Sequence, residues 1–412
     1  MVRIDLPKDV KYIIDTLSTH GCEAYAVGGC VRDSILGRTP GDWDITTSAP
    51  PMQVKELFRR TIDTGIQHGT VTVMLGKNGY EVTTYRIDGR YEDSRHPESV
   101  EFTPNLEEDL KRRDFTINAM AYNDKHGIVD IFDGVGDLER GIIRCVGRAL
   151  DRFEEDALRI LRAVRFSAQL GFEIEEETAK AANELSPNLR KISSERIHTE
   201  FNKMLKSDHP DYFAVADRIG IMEMVLPEYH DMSAEDKEFA GRFAKECACE
   251  LPERYAAMLL LSGGQQDRAA DICARALKRL KLDNDTINTA AMLVRWCNTT
   301  LTTDEAQLRR LIYNVGDGSI IRILRFRLAY EVCAGNDTAL IKQVIDICSD
   351  ILERGDCVSL KMLAITGKEL IALGVPAGRQ MGVILNGLLM EVLDDPKLNE
   401  KSVLAEKALK ML

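Results

Sequence analysis

In the stretch "GDWDITTSAP", Asp42 and Asp44 stand two positions apart in what reads as a strand, which turns both carboxylates to one side. Two acids so placed repel each other unless a cation lies between them. Hard oxygen donors suit Mg2+, which takes one or two protein carboxylates together with substrate phosphates. A strand made polar for solubility accounts for the same spacing more plainly. Just upstream, "VGGCVRD" sets Gly28 and Gly29 where a strand gives way to a helix. A backbone without Cβ atoms approaches a phosphate closely, and the N–H groups of a helix start attract anions. Arg32 adds a charge-assisted donor in that helix. A third acid, Glu81, falls on a later strand, where it either completes the acidic site or is simply a half-exposed strand position.

The stretch "EDALRILRAVRF" carries Asp156 and then an arginine at every third place, Arg159, Arg162 and Arg165. Three residues of helix turn through about 300°, so these side chains drift only about 60° per step along one side. Leu158, Leu161 and Val164 occupy a neighbouring face that can seat the helix on a core. Taken alone, the run reads more plainly as a salt-bridged, solvated face.

The elements that must position these residues divide in two. The first 140 or so residues read as mixed α/β. "EAYAVGG" is a strand, "CVRDSILG" a helix closed by Gly37, and "WDITT" a strand. "PMQVKELFRR" is a helix with proline in its first turn. "TVTVMLG" and "YEVTTYRID" alternate as two strands, with Asn78-Gly79 as the hairpin signal between them. Beyond about residue 150, period-2 patterning gives way to amphipathic helical stretches such as "RAADICARALKRL" and "SIIRILRFRLAYEVC". The expected fold class is therefore α+β, a mixed-sheet head followed by an all-α remainder, with no internal repeat.

Composition narrows the possibilities. The 412 residues carry no apolar run long enough to cross a membrane and no secretory h-region, which points to a cytoplasmic protein. Ten cysteines are scattered without a C-x-x-C pair, so reduced core thiols are expected rather than a zinc site. The net charge of −12 weighs against nucleic acid, but it is unevenly spread. Residues 1–138 carry −7 and 207–300 carry −5, whereas 139–206 carry +1 and 301–412 carry −1. The second and fourth regions leave room for an RNA.

The ordered set "GGCVRD", "GDWDITTSA", "HGTVTV", "YEVTTYRIDGRYEDSRHP", "DLKRRDFTINAMAY", "DGVGDLERGIIRCVG" and "RFEEDALRILRAVRFSAQLGF" resembles the class II tRNA nucleotidyltransferases, the CCA-adding enzymes of the polymerase β superfamily. The likeness runs motif by motif over roughly residues 22–205 and resumes in "LAITGKELIALGVPAGRQMGVILNGLLMEVLDDPKLN". It implies a seahorse-shaped chain with a catalytic head at 1–138, a base-reading neck at 139–206, a helical body at 207–300 and a tRNA-binding tail at 301–412. It also implies template-independent addition of C, C and A to the tRNA 3′ end from CTP and ATP, with Mg2+ and release of pyrophosphate. The partner is then tRNA, held at its 3′ end and elbow; neither DNA nor a membrane is expected. Carried over by position, Asp42 and Asp44 hold the metal. Gly29 and Arg32 hold the triphosphate, and Arg113 and Asp114 face the sugar and phosphates. "DGRYEDSRHP", from Asp88 to Pro97, corresponds to the loop that members need for the final adenosine.

In that company the charged run acquires a purpose. Cytosine and adenine each present an amino donor beside a ring-nitrogen acceptor, and uracil and guanine present the reverse. Asp156 accepting and Arg159 donating would mimic a base-pairing partner that admits C and A and refuses U and G. A mismatch would leave a buried charged group unsatisfied. Arg162 and Arg165 would reach phosphates, and the turn "LGVPAGRQMG" would present backbone N–H groups to tRNA phosphates or serve only as a helix–helix turn. Addition of A alone, addition of CC alone, a bacterial poly(A) polymerase and a non-catalytic tRNA-binding protein are the alternatives. The last histidine is His230, which argues against an added metal-dependent phosphohydrolase domain.

Overall fold

A computed structural model describes residues 3–89, 100–264 and 266–411. Most of the expected adenosine loop, Arg90 to Pro97, lies outside them. The chain forms two compact units. The first comprises Met1–Asp231 with Arg279–Leu282, and the second Met232–Lys278 with Asp283–Leu412.

The first unit opens with helix α1 (Lys8–Thr19), whose Val10, Ile13, Ile14 and Leu17 recur at helical spacing and are buried. Its sheet has seven strands: β1 (Ala24–Val27), β2 (Ile45–Thr47), β3 (Thr61–Gly65), β4 (Thr70–Leu75), β5 (Asn78–Thr84), and the later β8 (Met120–Asn123) and β9 (Gly127–Asp130). Among the described residues, the short β6 (Arg86–Asp88) and β7 (Val100–Phe102) pair only with each other. Strand order in the large sheet is β3-β4-β5-β2-β1-β8-β9. β1 lies between β2 and β8 and is buried along its whole length, which explains an uninterrupted "AYAV" in place of alternation.

Two local expectations shift. Strand β2 is only Ile45–Thr47, so Asp42 and Asp44 belong to the extended segment that feeds it. The Asp44 carbonyl nevertheless accepts from Val27 N–H at 3.0 Å, which prolongs the β1 pairing by one residue. The hairpin turn is Gly76-Lys77, not Asn78-Gly79, because Leu75 pairs with Asn78. Gly76 has φ +63°, the left-handed conformation a two-residue hairpin wants at its first central position.

Helices α2 (Gly29–Ile35), α3 (Pro51–Leu57), α4 (Leu106–Lys111) and α5 (Gly134–Arg140) accompany the sheet. Next come α6 (Ala149–Glu155), α7 (Leu158–Leu170), α8 (Glu176–Leu185) and α9 (Ser194–Leu205). Among the described residues past 150, the only strand is the two-residue Glu173–Ile174, which pairs with Ile142–Ile143.

The second unit is helical. Phe243 and Phe326 pack at 4.7 Å between ring centres, with Phe239 and Tyr330 beside them. A larger core runs from Leu308 and Ile312 through Ile351 to Leu388 and Leu404. Arg309, only 4% exposed, is satisfied inside it by the Leu393 carbonyl at 2.8 Å and by Asp356 at 3.0 Å. No described helix is long and apolar enough to cross a membrane. All ten cysteines are free thiols, and most are buried, in keeping with core packing.

Candidate active site

The acidic cluster is built by strand register. β2 and β5 run parallel with Ile45 level with Val82, so Asp44 comes level with Glu81. Asp42 and Asp44 are open to solvent as residues. The Asp44 carboxyl is still raised above its ordinary range, first by desolvation from the surrounding protein, then by the charge of Asp42, with Glu81 adding to it. Arg113 opposes that shift, which places its guanidinium within electrostatic reach of the acids. Among the described residues no three His, Cys, Asp or Glu side chains converge as a metal cage. The arrangement offers two carboxylates with a third charge close by, which fits Mg2+, an ion that keeps most of its shell for water and phosphate.

The positive side of the site lies against Gly28. This residue has φ +83°, and a Cβ there would stand 3.1 Å from the Arg113 guanidinium, so two independent constraints select glycine. Its N–H is already donated to the Met120 carbonyl at 3.1 Å, leaving the cradle to the residues that follow. No side chain caps the start of α2. Arg32, buried, donates to Asn118 Oδ1 at 2.7 Å and to Asp33 Oδ1 at 2.8 Å. Its guanidinium lies 5.1 Å from the centre of the Phe166 ring, and those of Arg162 and Arg165 lie 5.4 Å and 3.9 Å away. One aromatic ring thus helps to hold three like charges together.

Asp109 is a residue the sequence did not single out. It is fully buried on α4, accepts from Thr46 Oγ1 of β2 at 3.0 Å, and pairs with both Arg112 and Arg113. Burial alone would raise its carboxyl, but the two guanidinium groups hold it below the ordinary range. Asp109 therefore ties the acid-bearing segment to Arg113. Arg113 Nε remains buried without a hydrogen-bond partner.

Asp114 does not face open space. Its Oδ2 accepts from Arg162 Nε at 2.7 Å and its Oδ1 from Phe115 N–H at 2.9 Å. Against strong desolvation, Arg162 and then Arg159 pull this carboxyl down to about 2. A depressed carboxylate pKa stabilises the fold fully above the unfolded value of 3.8, and the contribution disappears as pH falls toward about 2. The shift corresponds to about 2 kcal/mol. Urea unfolding of wild type and Asp114→Asn should show a clear gap near neutrality that narrows as the pH is lowered through this range; a constant gap would mean that the ion pair carries none of it.

The charged run departs most from expectation. Asp156 is not on the arginine helix: α6 stops at Glu155, Asp156 is extended (φ −144°, ψ 105°), and α7 begins at Leu158. Its short side chain turns back on the start of the next helix, and Asp156 Oδ1 accepts from Leu158 N–H at 2.9 Å. Oδ2 accepts from Arg196 at 2.7 Å. Arg159 pairs with Glu155 and also donates to the Arg112 carbonyl at 3.2 Å. Arg162 is held by Asp114. Arg165 is buried, with Nε 2.9 Å from Glu200 Oε2 in an ion pair that lacks hydrogen-bond alignment. Burial lowers its guanidinium to about 10 in spite of Glu200. Arg162 lies within electrostatic reach of Asp156 as well as Asp114, and Asp114 within reach of Arg159, whereas Arg165 is committed to the interior against Glu200.

Comparison with known proteins bears on the same segments. Residues 24–144 match the Poly A polymerase head domain, 171–233 the probable RNA and SrmB-binding site of polymerase A, and 253–408 a tRNA nucleotidyltransferase domain. The CCA-adding enzyme of Pediococcus pentosaceus is 36% identical over 398 residues, covering 96% of each chain. That of Enterococcus faecalis is 36% identical over 410 residues, covering 98% of this chain and 96% of its own. The crystal structure of the Bacillus stearothermophilus CCA-adding enzyme in complex with CTP superposes with a TM-score of 0.78 at 32% identity, covering 97% of this chain and 95% of that one.

Proposed function

Since the chain belongs to the CCA-adding tRNA nucleotidyltransferases, we propose that its chemistry runs where Asp42, Asp44, Arg113 and Gly28 meet. The enzyme adds C, C and A to the 3′ end of tRNA, with CTP and ATP as the nucleotide substrates. Enzymes of this type use a divalent metal, and we assign Mg2+ to Asp42 and Asp44.

The observation that supports this reading best is the separation of charge within a single site. Two solvent-open carboxylates lie on one side, and the orphaned Arg113 donor with the glycine cradle lies on the other. When bound, Mg2+ would favour loss of the proton from the tRNA 3′-hydroxyl and offset charge on the pyrophosphate. The protein's own contribution is placement. Arg113 and Arg32 hold the triphosphate, Gly28 and Gly29 let it approach the backbone, and Glu81 keeps the local field negative beside the metal-holding pair. Positioning and electrostatics of this kind supply most of the rate in phosphoryl transfer. Asp156 and Arg159 read the base. A carboxylate has about four acceptor positions and a guanidinium five donors, so their present partners leave capacity for a base edge. Arg162, held on Asp114, lies at the border between base and phosphates.

We also assign the four regions at 1–138, 139–206, 207–300 and 301–412 to catalysis, base reading, spacing and tRNA grip, and the reaction to the cytoplasm. In the fourth region, Gly378 (φ +123°) precedes the helix Arg379–Asp394, whose start carries no side-chain cap. Arg379→Ala should weaken tRNA binding and flatten its salt dependence by about one unit of slope, with base choice unchanged. Filter binding across a salt series checks this, and an unaltered slope removes Arg379 from the phosphate contacts. A point substitution is the right probe, because the core of the second unit mixes residues from both sides of Leu360 and a truncation there would expose it.

The direct test of function supplies tRNAs ending at the discriminator base, at C and at CC, each with a single nucleotide triphosphate. C should enter the first two and A only the third. Growth of a long A tract would favour a poly(A) polymerase, A addition alone would favour an A-adding enzyme, and no incorporation at all would overturn the reading.

A further inference from the structure

We infer that Asn118 is a positioning residue for the triphosphate: its carboxamide aims the Arg32 guanidinium and ties it to Arg162 across the site. The inference rests on the assignment of Arg32 to the triphosphate. Asn118 is 7% exposed and ends a short 3-10 turn, Thr116–Asn118, inside the stretch "RRDFTINAM". That turn is firmly held. Thr116 N–H donates to the Arg144 carbonyl at 2.9 Å, and its hydroxyl donates to the buried Asp137 of α5 at 2.7 Å. The start of α5 packs so closely that a Cβ on Gly134 would stand 2.3 Å from the Thr116 carbonyl oxygen. The turn also meets the glycine cradle, since a Cβ on Gly28 would lie 3.7 Å from the Asn118 carbonyl oxygen.

The carboxamide stands between a cation and an anion. Its Oδ1 accepts from Arg32 Nη1 at 2.7 Å, and its Nδ2 donates to Asp114 Oδ1 at 3.3 Å. A guanidinium can only donate and an ionised carboxylate only accept, so the amide fits in one orientation alone. Asp114 in turn accepts from Arg162 Nε at 2.7 Å. Arg32 and Arg162 also share the Phe166 ring, at 5.1 Å and 5.4 Å from its centre. Arg32, Asn118, Asp114, Arg162 and Phe166 therefore close a circuit, and Asn118 is its one uncharged hydrogen-bonding member. Arg32 donates to Asp33 as well, but a neighbour on the same helix orients the guanidinium against α2 and not against the rest of the site. Arg32 Nη2 lies beside the cradle, where a Cβ on Gly29 would stand 3.7 Å from it. Without the amide, Arg32 stays charged and close to the glycines but loses the bond that sets its direction.

The test compares wild type with Asn118→Ala, Arg32→Ala and the double variant Arg32→Ala/Asn118→Ala. KM and kcat are measured for CTP on tRNA ending at C and for ATP on tRNA ending at CC. Inhibition by inorganic pyrophosphate, the CTP:UTP ratio, tRNA affinity and the melting temperature complete the set. Asn118→Ala should raise KM for CTP and ATP alike by roughly tenfold, the lower end of what a hydrogen bond to a charged group contributes. Pyrophosphate, which carries no base, should lose potency by a similar factor. The fall in kcat should be smaller than the rise in KM, with base choice and tRNA affinity held, a pattern that general loosening of the fold does not produce. The double variant should bind no more weakly than Arg32→Ala, because Asn118 acts through Arg32. If Arg32→Ala raises KM and Asn118→Ala does not, or if the two losses add, the positioning role is wrong and the triphosphate assignment stands. If Arg32→Ala leaves KM and pyrophosphate inhibition unchanged, the assignment of Arg32 fails and takes this inference with it. Should Asn118→Ala not fold, Asn118→Leu, which keeps the volume and removes both hydrogen bonds, decides the matter: wild-type KM and pyrophosphate inhibition overturn the role.

Discussion

Asp42→Ala and Asp44→Ala will each lower nucleotide incorporation at least about a thousandfold, the loss expected when several kcal/mol of metal-borne charge stabilisation is withdrawn. Folding should survive both changes. The two residues are open to solvent, and neither supports a helix or a buried network. The direction for Asp44 can be worked out further. Its carboxyl is raised in the folded protein, so ionisation there costs stability above that pKa instead of contributing to it. Asp44→Asn should therefore melt at or slightly above the wild-type temperature while losing activity. Single-turnover incorporation of CTP beside a thermal melt separates the two effects. Near-wild-type turnover in both alanine variants would remove the metal from this pair.

Asp156→Ala should produce a different defect. Incorporation of C and A persists, but UTP and GTP become substrates, because the acceptor that refuses their carbonyl oxygens has gone. A bidentate base contact is worth about 1–3 kcal/mol of discrimination, or roughly 5- to 150-fold in the ratio of rates. Affinity for tRNA should scarcely move, in contrast to Arg379→Ala, where affinity moves and base choice does not. Side-by-side measurement of nucleotide selectivity and tRNA affinity in these two variants is decisive for the division of labour. If Arg379→Ala changes base choice, one region does not read while another holds.

Sequence patterning made the broad plan legible because it depends on period and on residue type. Strand-like alternation ends near residue 150, and amphipathic helices follow. The pairing of Asp42 with Asp44 and the glycine turn before α2 were visible as local spacing. What stayed hidden depends on distant partners. Glu81 acquires its place only through the parallel register of β2 with β5, which no hairpin rule supplies. Asp109 carries no local signal at all, since its burial between two arginines and Thr46 depends on strand β2 far away along the chain. The arginine run suggested one continuous helix, and the break at Asp156 was missed because no proline or glycine marks it. Its stabilising partner, Arg196, lies a whole helix pair away along the chain. The spacing of Arg165 matched its neighbours, but burial against Glu200 took it out of their company.

The central position of β1 bears on how the chain is made. Three of its four buried residues meet β2, which follows within about twenty residues, but the opposite edge waits for β8, where Ala26 meets Tyr122. Roughly a hundred residues must leave the ribosome in between, about 5–20 s of synthesis at ordinary rates. Throughout that interval a fully apolar strand presents an unpaired edge, the kind of template on which nascent chains join one another. A ribosome stalled before β8 therefore displays a sticky half-sheet, and protection of the newborn chain matters most in that window.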